Sequence, residues 1–443
     1  MNLLLLTQYY PPEMGAAPAR LSDLASRFVS RGHMVTVLTA LPNYPTGKIF
    51  PGYRGLFSQE HRDGVKVIRT FIYPTQKASL VRRLSNYFSF VFSSALLGTL
   101  LPGGVDYIMV ESPPLFLGMS AFWLSRLKRT RLIFNVSDLW PESAVSLGIL
   151  RTEGFAYRMS SWLEAFCYKK AWLVTGQSKT ILADIMARFP HRPTFHLSNG
   201  VDVKRYASAQ RNDQIRRSLA QDQECAVLYA GLHGLAQGLD QVLYAAEALS
   251  TEGGYRFTLM GEGPEKKTLV QRGIEAGLTN LQFLDGRPAS QIPAWLASAD
   301  IILVPLKLYI PGAVPSKLYE AMASKKPLIL IAHGEAAEIV RNQNVGLVVE
   351  PGDVSGLTGA LRRLRNDRAL REELSANGRR VAEEYFDREK ITQRFIEHLE
   401  KGLTGNRREM GQAAEISGGN FAVSSTQIGT LPHPVSHFSL PKT

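Results

Sequence analysis

The sequence predicts an α/β protein built from two doubly wound parallel-sheet domains, and three observations carry that prediction. At 443 residues the chain exceeds what one hydrophobic core ordinarily supports, so two domains are the default. Short apolar runs alternate with longer helix-like segments up to about residue 385, the pattern of parallel strands joined by crossover helices. The polar, charge-rich stretch from Gly200 to Gln223 has no strand pattern and divides the chain near residue 205.

In the first domain, residues 1–205, the expected strands are Leu3–Thr7, Val35–Thr39, Val65–Thr70, Tyr107–Glu111, Leu132–Val136, Trp172–Gly176 and Thr194–Leu197. In the second, residues 206–385, they are Ala226–Ala230, Phe257–Met260, Leu281–Leu284, Ile301–Pro305, Pro327–Ile331 and Gly346–Val349. Each set makes a Rossmann-like sheet with ligand crevices at its carboxyl edge. From Val354 to Lys401 the chain is charged and helical throughout. Residues 403–443, rich in Gly, Ser, Thr and Pro, lack regularly spaced apolar positions and are expected to be disordered.

Composition narrows the partners. Hydrophobic residues make up 45% and charged residues 20%, an ordinary globular profile. Cys167 and Cys225 lie far apart without metal-ligand spacing, so neither a disulfide framework nor a zinc site follows, and a reducing cytoplasm fits. The net charge of +12 suits anionic partners. Long basic runs interleaved with aromatics are missing, which disfavours nucleic acid and leaves pyrophosphates or an anionic membrane surface. The opening MNLLLL lacks a basic leader and is too short for a signal peptide, so secretion is not expected.

Leu84 to Val105 holds no charged residue and follows Arg82-Arg83. Its length nearly meets the requirement for a membrane span, but Asn86, four serines and Pro102-Gly103-Gly104 lower its hydrophobicity. Three readings stay open: a span, a helix lying on the bilayer, and a buried helix.

Four segments can carry chemistry. After the first strand, Gly15 lets the backbone approach a ligand at the start of a helix, or merely makes a turn. Asp138, ending the strand that runs to Val136, and Glu111, ending the strand before it, sit at the crevice edge. Either can contact an acceptor hydroxyl or act as base, although Asp138 can equally cap the following turn. The loop Tyr229–Asp240 presents Gly231, Gly234 and Gln237 between strand and helix, and its free N–H groups suit a diphosphate. Finally, Pro315, Ser316, Lys317, Leu318 and Glu320 read as a helix start with Ser316 as N-cap. Free amides and Lys317 there favour phosphate, and Glu320 can grip a ribose diol. The plain alternative makes Ser316 and Glu320 ordinary first-turn residues.

As an ordered set, several stretches resemble glycosyltransferase family 4, the retaining enzymes of the two-domain GT-B fold. They are Gln8–Glu13 (QYYPPE), Gly32–Thr39, Pro42–Gly47, Asp138–Glu142 (DLWPE), Ser198–Asp202 (SNGVD) and Gly261–Pro264 (GEGP). The likeness covers residues 2–400 and is greatest to the branch that makes bacterial O-antigen, capsule and colanic-acid polysaccharides, including N-acetyl-L-fucosamine transferases. It implies that a helix at 386–402 crosses back onto the first domain. It also implies that a UDP-sugar sits in the cleft, held by Gly231, Gly234, Gln237, Gly261, Glu262 and the Pro315–Glu320 segment. Gly15 would close on the phosphates, with Asp138, Glu111 and Lys317 in catalysis and Glu320 on the ribose. No metal or other cofactor is implied. The expected acceptor is an undecaprenyl-diphosphate-linked saccharide at the inner face of the bacterial inner membrane, where the enzyme is peripheral.

Three positions depart from the family pattern. Its first glutamate falls at Gly312, its loop lysine is Gln237, and the Arg or His before Asp138 is Ser137. These departures keep a non-catalytic subunit that binds a partner transferase as an alternative, beside a UDP-sugar epimerase or phosphorylase of the same fold.

Overall fold

The computed structural model describes residues 1–405 except 45, 76–79 and 147. The expected disordered tail falls, from residue 406 on, outside the described residues. The strands are β1 (Asn2–Leu6), β2 (Met34–Ala40), β3 (Phe57–Arg62), β4 (Val65–Thr70), β5 (Tyr107–Ser112), β6 (Arg131–Val136), β7 (Leu173–Gly176) and β8 (Thr194–His196) in the first half. The second half has β9 (Cys225–Ala230), β10 (Tyr255–Met260), β11 (Leu281–Leu284), β12 (Ile301–Pro305), β13 (Leu328–Ile331) and β14 (Gly346–Val349). They form an eight-stranded sheet in the order β3-β4-β2-β1-β5-β6-β7-β8 and a six-stranded sheet in the order β11-β10-β9-β12-β13-β14.

Apart from antiparallel β3, every pairing is parallel. Helices cover both faces of each sheet, so the central strands are mostly apolar, with polar residues such as Glu111 and Asn135 near their carboxyl ends. Every strand expected from the sequence is present to within two residues. The expectation missed β3, whose sequence FSQEHR has no apolar alternation because it is a half-exposed edge. Arg69 on β4 anchors that edge. Fully buried, it donates to Glu60 of β3 at 2.8 Å and to the Ala40 carbonyl at 3.2 Å.

The chain crosses between the sheets twice, and the crossings touch. Val201 N–H donates to the Phe386 carbonyl at 2.8 Å, and Arg388 N–H donates to the Val201 carbonyl at 3.0 Å. Gly200 holds φ 51°, and a Cβ there would stand 2.6 Å from the Phe386 oxygen, so only glycine fits. The last helix, Arg388–Thr404, lies on the first domain. Phe395 packs between Phe28 and Phe195, and Tyr107 Oη donates to the Leu399 carbonyl at 2.6 Å.

The Leu80–Leu100 helix contains most of the long uncharged segment, which ends at Val105 beyond it. Phe90 and Val91 are buried against the sheet, while Phe92, Leu96 and Leu100 point outward. Among the described residues no helix is long and apolar enough to cross a membrane.

Candidate active site

On the second domain the glycine-rich loop after β9 meets the loop after β10. A Cβ on Gly261 would stand 1.8 Å from the Gly231 oxygen, and one on Gly263 would stand 2.3 Å from the His233 oxygen. His233 clips the loops together, its N–H donating to the Glu262 carbonyl at 2.8 Å while its own carbonyl accepts from Glu265 N–H at 3.0 Å. Glu262 itself is exposed; it pairs with Lys266 at 2.9 Å and accepts from Gly286 N–H.

The helix Ser316–Ala323 starts beside these loops. The space that a side chain on Gly231 would need is taken by Lys317, whose Cε would lie 1.9 Å from the added Cβ. Lys317 Nζ also lies 5.7 Å from the centre of the Tyr229 ring. Among the described residues Lys317 forms no ion pair. Burial pushes its pKa down and the nearby Glu320 pushes it up. Burial likewise raises Glu320, against Lys317, Arg388, Arg205 and the Tyr206 hydroxyl. Gly231, Lys317 and Glu320 thus stand together at one sheet edge.

Two expectations need correction here. Ser316 is the first helical residue and Pro315 the N-cap, with no side-chain capping bond. Leu318 is fully buried, and its N–H already donates to the Pro315 carbonyl at 3.0 Å; it secures the helix start and offers the site no side chain.

The sequence reading missed His233. Its imidazole is fully buried, and burial, with Lys266 adding, pushes its pKa down to about 4, so it is neutral. Neither ring nitrogen has a hydrogen-bond partner among the described residues, and neither has buried Gln237 Oε1 in the same loop. Three orphaned polar atoms in one glycine-rich loop are uncommon in a folded interior and are expected where a ligand completes the bonding.

On the first domain, Gly15 is exposed at the start of the Ala16–Ser30 helix. One turn on, buried Arg20 donates to Glu111 Oε1 at 2.5 Å and to Ser137 Oγ at 2.9 Å. Glu111 also accepts from Asn135 Nδ2 at 2.5 Å and from the Ser137 hydroxyl. With both oxygens engaged and 2% exposure, Glu111 is a positioning residue and not the free base or acceptor contact expected from its place in the sequence. Asp138 differs. It is partly exposed, and no hydrogen bond among the described residues engages its carboxylate. Burial, with the negative charge of Glu111 adding, pushes its pKa up to about 6, a value suited to proton transfer. Where the family pattern has an Arg or His, Ser137 accepts instead from the Arg20 guanidinium.

The two lobes touch. Glu335 of the second domain accepts from Lys179 N–H at 2.9 Å and Thr180 N–H at 2.7 Å of the first. Gly312, at φ 75°, lies against Ile181 and Ser178, where a Cβ would be 2.5 Å from Ile181 Cγ1. A glutamate in that place has no room, which accounts for the missing family carboxylate.

Two doubly wound parallel-sheet domains meeting edge to edge, with glycine-rich loops on one and the Asp138 carboxylate on the other, define the GT-B architecture of glycosyltransferases. Residues 15–200 match the glycosyl transferase 4-like domain and residues 210–381 match glycosyl transferases group 1; the chain belongs to the glycosyltransferases that combine the two. It is 25% identical over 419 residues to WcaI of Escherichia coli K12, named a colanic acid biosynthesis glycosyl transferase, covering 90% of this chain and all of that one. Among solved structures, the sucrose-phosphate synthase of Thermosynechococcus elongatus superposes with a TM-score of 0.73 at 17% identity, covering 91% of this chain and 100% of that one. HepE of Anabaena, solved in complex with UDP, superposes with a TM-score of 0.67 at 20% identity, covering 90% and 100%.

Proposed function

We propose that this glycosyltransferase moves a sugar, an N-acetylated aminosugar, from a UDP donor to an undecaprenyl-diphosphate-linked saccharide in bacterial surface-polysaccharide synthesis. It acts at the cytoplasmic face of the inner membrane as a peripheral protein. The observation that carries the reading is unpaired Lys317 at a helix start, packed on Gly231 and one turn from Glu320. UDP bound to HepE supports the donor class, and the naming of WcaI supports the polysaccharide.

In this reading the diphosphate lies on the amides of the Gly231 and Gly261 loops and on the helix start, with Gly15 closing from the other lobe. Glu320 accepts from the ribose hydroxyls. The acceptor oxygen forms a bond to the anomeric carbon as the bond to the phosphate oxygen breaks, and UDP leaves with the electron pair. Lys317 and the amides stabilise the growing charge. Asp138 takes the acceptor proton, and attack on the face from which UDP departs retains the configuration. The reading includes no metal ion.

The test is calorimetric titration of UDP together with transfer assays. Lys317→Ala is expected to weaken UDP binding by about 10- to 100-fold, the worth of a hydrogen bond to a charged group. Glu320→Ala should weaken uridine but not inorganic pyrophosphate. Unchanged affinity and turnover in both variants, with melting temperatures preserved, would refute the donor site.

A further inference from the structure

The first domain carries a second polar recess that neither donor nor acceptor uses. It lies where β6, β7 and β8 begin, the edge of the sheet opposite the cleft, roughly one six-residue strand or about 20 Å away. Its volume is about 670 Å³, and Arg126, Arg129, Arg131, Lys169, Lys170 and Arg192 line it. Among the described residues no carboxylate lines it. Arg131 is occupied, lying over the Trp172 ring and bonding the Gly402 carbonyl. Lys169 lies over the Phe189 ring, and it and the other four form no ion pair among the described residues, although many of the arginines elsewhere in the chain do. Thr130 Oγ1, also in the lining, is buried without a hydrogen-bond partner.

Cations are costly to gather without a counter-charge, and a surface that holds five unpaired ones around an orphaned hydroxyl is shaped for an anion. The helices that deliver them show what kind. Arg126 ends the Leu117–Leu127 helix, and Lys169 and Lys170 end the Phe155–Lys170 helix. These two and the Leu80–Leu100 helix lie side by side on one face of the sheet. Two of them turn apolar pairs or triplets outward at helical spacing, Phe92, Leu96 and Leu100 on the first and Trp123 and Leu127 on the second, and the third turns out Trp162. All six are between 48% and 73% exposed. The stripes run toward the basic recess. A soluble anion would satisfy the cations and leave the stripes wet, whereas an anionic bilayer covers both, headgroup phosphates meeting the cations and the acyl boundary meeting the stripes.

We infer that this three-helix face is the membrane-docking surface and that the basic recess receives a lipid headgroup phosphate. The inference deepens the membrane placement proposed above and rests on it. It sets the cleft at the opposite end of the sheet from the recess, so the two sites bind independently.

The experiment is co-sedimentation of the full chain with vesicles of phosphatidylglycerol and phosphatidylcholine, or of phosphatidylcholine alone, with UDP affinity measured in parallel. The wild type should bind only the anionic vesicles. Combined Arg126→Ser, Lys169→Ser and Lys170→Ser should lower that binding about a hundredfold, while Trp123→Ser with Leu96→Ser should lower it without changing its salt dependence. UDP affinity should stay within twofold in all of them. Wild-type indifference to anionic vesicles, or a triple variant that binds them as the wild type does, overturns the inference. So does a triple variant that loses binding of millimolar inorganic phosphate in calorimetry yet keeps wild-type vesicle binding, which would make the recess a site for a soluble anion only. Because UDP binding is read separately, each of these outcomes leaves the donor site standing, and a failed donor site would leave vesicle binding intact.

Discussion

Asp138→Asn is expected to remove the acidic limb of the pH–rate profile and, above neutral pH, to stabilise the protein. The carboxyl is raised from its ordinary 3.8 to about 6 by burial and by the neighbouring Glu111. At about 1.4 kcal/mol per tenfold change in proton affinity, that displacement corresponds to about 3 kcal/mol against the ionised form in the folded state. The sign follows from which state holds the proton. Below pH 3.8 Asp138 is protonated whether folded or unfolded, and its preference for the neutral form contributes fully to stability. As pH rises toward 6 the unfolded chain releases the proton first, so that contribution is lost through this window and is gone above it.

Asparagine has no such slope. The stability difference between variant and wild type should therefore be smallest near pH 4 and grow to at most about 3 kcal/mol by pH 7.5, on the order of 5–10 °C in melting temperature for a domain of this size. Activity moves the other way. Wild-type turnover should fall about tenfold per pH unit below 6, whereas the variant should be about 100-fold or more slower and flat from pH 5 to 7. Calorimetric melting across pH, with UDP release measured on the same samples, reads both. A melting difference independent of pH, or an acidic limb that survives the substitution, would refute the assignment of Asp138 as the titrating base.

The neighbouring acid should behave oppositely: Glu111→Gln leaves Arg20 without its buried counter-charge and should cost about 3–5 kcal/mol in urea denaturation at pH 7.5, and an unchanged midpoint would show that the pair does not hold the Asp138 segment. Gly312→Glu restores the carboxylate of the family pattern but drives it into Ile181 and Ser178 at a positive φ. It should lose about 1–3 kcal/mol and lower transfer; a gain in transfer would mean that the lobes part far enough to admit it.

The fold was legible because parallel strands buried on both faces must be largely apolar, and such runs are hard to mistake in this chain. The strand that escaped, β3, is held by Arg69 reaching across from β4, a contact that no periodicity within Phe57–Arg62 announces. The clustering of Gly231, Lys317 and Glu320 was legible for a similar reason: they lie on segments whose local pattern, strand to glycine loop and loop to helix, brings them to one sheet edge. What the sequence concealed was decided by distant neighbours. Glu111 and Asp138 look alike as acids at strand ends, and Arg20, far away in the chain, separates them by engaging one and leaving the other free.

Gly312 carries the same logic to the level of the whole molecule. Judged by local pattern it is a catalytic position that lost its acid, which would favour a non-catalytic subunit. Seen against the Ser178–Thr180 segment, it is where one lobe rests on the other, and Glu335 supplies the carboxylate that bonds across that contact. An acid at residue 312 and a contact of this closeness exclude each other. The missing glutamate therefore reports how tightly the lobes meet at this point, and it is not evidence of a lost activity. Lys317 and Asp138, the two groups to which the proposed mechanism gives chemistry, form no ion pair among the described residues and lie on opposite sides of that contact.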